Sequence, residues 1–96
     1  MHKIYTSQGL VLSSRGVGEK NILVTIFSRG LGIVNAKAIS ARMAKGKLKG
    51  HIVPYSLGTY TFVRGKEGWR LIQANAEFNT LNSLTSLNKK KIFIRT

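Results

Sequence analysis

The sequence contains no cysteine, no aspartate and only one proline, and its carboxylate side chains are Glu19, Glu67 and Glu77 alone. Without cysteine there is neither a disulfide framework nor a thiolate zinc site, so a chain of 96 residues relies on packing for its stability. Three Glu with His2 and His51 supply no credible metal cluster, acid pair or Cys-based nucleophile system. Nowhere do about 18 apolar residues run consecutively, and no long apolar stretch opens the N-terminus, so a soluble, unexported chain is expected. The glycines make no phosphate loop: Gly16-Val17-Gly18 has Asn21 where the dinucleotide fingerprint needs a third glycine, and Ala41 stands where Gly46-Lys47 would need one. A non-enzyme needing no cofactor is expected.

What the chain has in excess is positive charge. Sixteen Lys and Arg give a formal net charge of +13, so most cations find no partner within the chain. Such an excess repels itself and seeks a polyanion, of which nucleic acid is the obvious one. At 43% hydrophobic residues the composition is that of a folding domain rather than a disordered basic tail. One small domain is expected, burying roughly 60–65% of the surface its unfolded chain exposes.

The dominant period is two, interrupted by glycine, which predicts strands joined by tight turns. A first strand is expected from Ile4 to about Arg15, with Gly9 marking a bulge or bend. A second, Ile22–Ser28, places Ile22, Val24 and Ile26 on one face. Arg29-Gly30-Leu31-Gly32 turns it into a third, Ile33–Ser40, with Val34, Ala36 and Ala38 on one side. The stretch from Ala41 to Ile52 loses the alternation and predicts a loop and a short helix at Lys47–Val53, stopped before Pro54. Tyr55–Arg64 and Trp69–Glu77 form strands four and five around the hairpin Gly65–Gly68. Three strands, a short helix and two strands predict an all-β, five-stranded barrel of the OB type over residues 1–79. In residues 80–96, Leu81, Leu84 and Leu87 recur every third position after Asn79 or Thr80, which predicts a helix start in a tail. That tail is expected to be either a strap on the barrel or the stub of an absent helical domain.

Basic side chains gather in three places. Arg42, Lys45, Lys47 and Lys49 alternate with glycine and alanine, which lets backbone approach a phosphate chain while long side chains neutralise it. Four such contacts to a single strand predict a slope of log K against log salt near about −3. In an OB barrel the loop after strand one and the loop between strands four and five border the ligand groove, which makes Arg15, Lys20, Arg64, Lys66 and Arg70 candidates. Lys37 lies mid-strand on the more polar face of strand three. The plain alternative is a solvated turn for each of these cations, or for Lys37 a charge that blunts a strand edge. Tyr60 and Trp69 are the candidates for stacking a base, though Trp69 equally suits a cap on the barrel, while Phe27, Phe62 and Phe78 are expected in the core.

Several of these segments, taken in order, bear on family. Tyr5-Thr6-Ser7-Gln8-Gly9-Leu10-Val11-Leu12, the turn Gly16-Val17-Gly18-Glu19-Lys20, and Ile22–Gly32 resemble the start of the bacterial RecO recombination mediators. So do the basic run after strand three, Pro54-Tyr55-Ser56-Leu57-Gly58, and Trp69-Arg70-Leu71-Ile72-Gln73-Ala74-Asn75. The resemblance implies an N-terminal OB-fold that binds single- and double-stranded DNA, supports strand annealing and recombinase loading in repair, and works with RecR and single-strand-binding protein. It also implies a cytoplasmic, nucleoid-associated setting. Family members continue into a helical domain, often with a four-Cys zinc module. This sequence has neither, so capture of single-strand-binding protein is expected to lie in that missing domain. Charge alone leaves two other classes open: an RNA-binding or ribosome-associated OB-fold protein, and a protein-interaction module without a nucleic-acid role of its own.

Overall fold

A computed structural model describes residues 3–42 and 48–80. Five strands, β1 (Ile4–Val17), β2 (Asn21–Ser28), β3 (Gly32–Ala38), β4 (Ser56–Gly65) and β5 (Gly68–Asn79), close into a barrel in the order β1-β2-β3-β5-β4. All neighbours are antiparallel except β3 and β5, whose parallel seam consists of Ala36 beside Trp69 and Lys37 beside Arg70. This is the five-stranded OB-type barrel that the alternation predicts. Lys45, Lys47 and residues 81–96 of the tail, with Leu81, Leu84 and Leu87, lie outside the described residues.

Alternation along β2 and β3 decides which side chains enter. Ile22, Val24 and Ile26 from β2 and Val34, Ala36 and Ala38 from β3 are all buried, and each large aliphatic side chain among them contributes about 1.5–3 kcal/mol relative to exposure. β1 is long because it serves both sides of the barrel. Residues 9–17 pair with β2 and residues 4–10 with β4, so Gly9 and Leu10 have partners on both sides. Gly9 sits where a Cβ would come 2.7 Å from Ile26 Cγ2, so its role there is close approach, and the bulge falls just after it between Val11 and Ser13. That bulge brings the outward face back into register, leaving Leu10 and Arg15 on the same side of the sheet.

Strand ends differ from the sequence expectation where side chains or unusual backbone intervene. β3 stops at Ala38 rather than Ser40, because Ser40 turns to φ 60° and gives its backbone N–H to Asn21 Oδ1 at 2.9 Å. β4 begins at Ser56 rather than Tyr55, which has φ 72° and donates its N–H to the Val11 carbonyl at 2.7 Å. β5 runs on to Asn79, where the Thr80 N–H reaches the Tyr55 carbonyl at 2.9 Å. Among the described residues, the helix in the β3–β4 connection is a single 3-10 turn, Lys49–His51. His51 Nδ1 accepts the Ala76 N–H at 3.1 Å, which ties this connection to β5.

Candidate nucleic-acid interface

The barrel's register assembles cations that are far apart in sequence. Arg15 is the partner of Leu23, Leu23 of Lys37, and Lys37 of Arg70, so the four residues form one row across β1, β2, β3 and β5. Their neighbours Ile22, Ala36, Ala38 and Leu71 point inward and are buried, so the row lies on the outer surface. At about 4.8 Å per strand, Arg15 and Arg70 stand roughly 14 Å apart along the sheet, with Lys37 between them. The row thus presents three cations, on β1, β3 and β5, to any anionic chain laid along it, and none of them is placed to distinguish one base from another.

Beside the row, the β4–β5 hairpin and the end of β3 bound a cleft of about 370 Å³. Lys37, Lys66 and Arg70 line it together with Ile39 and Trp69, and Glu67 is the carboxylate on its rim. The hairpin therefore does approach the polar face of β3, as the loop between strands four and five of such a barrel is expected to. Gly68, at φ 110°, allows the reversal that places Lys66 there.

Other sequence candidates have structural employment. The Arg42 guanidinium donates to the Gly18 carbonyl and lies over Gly16, where a Cβ would come 2.9 Å from Arg42 Cζ. Its backbone N–H also reaches the Lys20 carbonyl at 2.8 Å. Arg42 is therefore a clasp between the β1–β2 turn and the segment after β3, exposed at its surface, rather than a free arm. It does bring Lys20 and Arg42 to one corner. Lys49 is exposed in the 3-10 turn. Arg64 holds its guanidinium 5.2 Å from the Trp69 ring centre, a cation–π contact.

The aromatic assignments need correction. Tyr60 is fully buried with its hydroxyl donating to the carbonyls of His51 at 3.2 Å and Ser56 at 3.4 Å, so it offers no face to a base. Burial pushes its phenol from 10.0 up to about 12. It follows the inward parity of Phe62, two residues on, which is also fully buried. Trp69 is partly buried against the core, edge-on to Tyr5 at 5.2 Å and to Phe62 at 6.0 Å, and serves as the barrel's cap. Phe27 and Phe78, expected inside, are about half exposed, at 55% and 49%.

These two phenylalanines mark a second outer row. Ile33 is the partner of Phe27, Phe27 of Leu10, Leu10 of Leu57 and Leu57 of Phe78, which lays an apolar line across all five strands. On β2 and β3 it runs four residues from the basic row. Between the two rows, Thr25 Oγ1 donates to Asn35 Oδ1 at 2.6 Å.

The sequence is similar to known proteins over most of its length. The family model for the recombination protein O N-terminal domain matches residues 1–86. The DNA repair protein RecO of Synechocystis is 32% identical over 79 residues, covering 82% of this chain and 29% of that protein. That of Gloeothece citriformis is 32% identical over 89 residues, 93% of this chain and 30% of the relative. That of Clostridium perfringens is 30% identical over 83 residues, 86% and 34% respectively. The chain thus spans about a third of the length of these relatives.

Proposed function

Because the chain belongs to the family of RecO N-terminal domains, and so to a family of DNA repair and recombination proteins, we propose that its barrel is a sequence-tolerant DNA-binding module. The observation that carries this is the register of Arg15, Lys37 and Arg70 on the outer face of β1, β3 and β5. Cations at this spacing hold the phosphate backbone of a single strand, and the same positive face receives a duplex. Holding two complementary strands while screening their mutual repulsion is the physical contribution such a surface makes to annealing. No bond is made or broken by these side chains in that role, so the module acts by binding and needs no cofactor.

The OB architecture supports the location as well as the chemistry, since ligands of such barrels lie across strands two and three between the flanking loops. Lys66 and the adjoining cleft extend the track beyond β5, and Lys20, in the β1–β2 turn, adds a cation at the end of the barrel. Within a longer recombination protein, this module supplies DNA contact. RecR is the proposed protein partner, which retention of this chain by immobilised RecR at low salt tests.

Competition binding tests the polymer class. A labelled single-stranded oligodeoxynucleotide bound to the protein is displaced by unlabelled single-stranded DNA or by structured RNA of equal length. The proposal expects DNA to compete at least as well as RNA. Displacement by RNA at far lower concentration would move the function to the RNA-binding class.

A further inference from the structure

Phe27 is a large aromatic side chain with no place in the core. Its neighbours Ile26 and Ser28 point inward and are buried, while Phe27 itself is 55% exposed and its partner Ile33 is 64% exposed. On its other side it pairs with Leu10. A ring left half in water, between two apolar side chains, is costly for an unbound small domain and suits a surface that is covered in use.

What covers it is indicated by the rest of the same face. Leu23 and Phe27 lie four residues apart on β2, as do Lys37 and Ile33 on β3, a separation of roughly 13 Å along either strand. One end of this face is thus basic and the other apolar and aromatic. Thr25 and Asn35, between them, are bonded to each other and carry no charge. A polymer with a charged backbone and flat apolar side groups matches both ends at once. The far end of the apolar row does not share this property, since Phe78 lies eight residues from Arg70 on β5.

Resting on the DNA-binding reading above, we propose that Phe27 is a stacking platform for an unpaired base of single-stranded DNA, with Ile33 and Leu10 as its apolar flanks. The phosphates then run toward Arg15, Lys37 and Arg70. A stack on an aromatic ring is indifferent to base identity, which gives the site a preference for single strands without sequence readout.

The test compares binding of an oligo-dT with that of a base-free deoxyribose-phosphate oligomer of the same length, for the unaltered chain, Phe27→Ala and Phe27→Trp. The unaltered chain should favour oligo-dT. Phe27→Ala should lose about 5- to 150-fold of affinity for oligo-dT, keep its affinity for the base-free oligomer and keep its salt slope. Phe27→Trp should restore oligo-dT binding, with its added fluorescence quenched by oligo-dT and not by the base-free oligomer. Phe27→Ala that retains the full preference for oligo-dT would overturn the proposal. So would equal loss on both oligomers with the DNA reading intact, or a change confined to self-association in sedimentation. Failure of the unaltered chain to bind either oligomer would instead remove the DNA reading itself, and this proposal with it.

Discussion

Lys37 and Arg70 are direct partners across the parallel seam that closes the barrel, one on β3 and one on β5. Two like charges face the same side at the join with the fewest strand pairs. Such an arrangement is retained at a cost, because like charges directly opposite one another weaken a strand pair by about 0.2–1 kcal/mol. An incoming phosphate removes that cost.

Neutralising one member therefore has opposite effects on stability and on binding. Lys37→Gln should raise the melting temperature of the free protein by up to about 5 °C at low salt, converting that range with the usual dependence for a domain of this size. The gain should vanish above about 0.5 M salt, where the repulsion is screened. Thermal melts followed by circular dichroism at two salt concentrations measure it.

Tyr60 makes alkaline stability specific to one side chain. Its folded pKa of about 12 lies above the ordinary 10.0, so burial favours the neutral phenol. The stability attached to that preference is fully present below pH 10 and is lost as pH rises from 10 through 12, by at most about 2–3 kcal/mol. Tyr60→Phe should be less stable than the unaltered chain at neutral pH by about 1 kcal/mol, because the hydroxyl bonds to His51 and Ser56 are gone. Denaturant titrations at pH 8 and pH 11.5 should show that deficit shrinking or reversing at the higher pH.

Gly58 has no room for a methyl group. It sits at the register shift between β4 and β5, and a Cβ there would overlap the Asn75 carbonyl and come 2.7 Å from Ala76 Cα, both backbone atoms of the adjacent strand. Gly58→Ala should cost about 1–3 kcal/mol or prevent folding, whereas Gly50→Ala, which meets open space, should leave the melting temperature within a few degrees.

Arg42 separates clasp from phosphate contact. Removal of its bond to the Gly18 carbonyl by Arg42→Ala should lower stability by about 0.5–1 kcal/mol, the reduced value fitting an exposed donor. Hydrogen exchange at the amides of the β1–β2 turn should rise in the same variant, with β4 and β5 unaffected.

Much of the barrel was legible from period-two alternation, since Ile22, Val24 and Ile26 on one side of β2 leave no ambiguity about which face is the core. The same alternation already put Phe27 outward, opposite Ile26. A general expectation that aromatics in a small domain are buried overruled it. Tyr60 failed in the reverse direction: it shares parity with Phe62, and a phenol that finds two backbone carbonyls inside the barrel has no need of solvent. The juxtaposition of Arg15, Lys37 and Arg70 was only partly legible. Local alternation gives the outward face of Lys37 and Arg70, but Arg15 reaches that face only through the bulge after Val11, and the alignment of all three depends on a parallel pairing between strands some 30 residues apart. Likewise nothing local announces that Arg42 folds back onto Gly16 and Gly18.

The salt dependence of single-stranded DNA binding tests the basic row of Arg15, Lys37 and Arg70 most directly. Each cation withdrawn from a phosphate should reduce the slope of log K against log salt by about 0.7, so the triple variant Arg15→Gln, Lys37→Gln, Arg70→Gln should bind more weakly with a slope shallower by about 2. A triple variant that keeps its fold and shows the unaltered slope would contradict the assignment of that row to DNA.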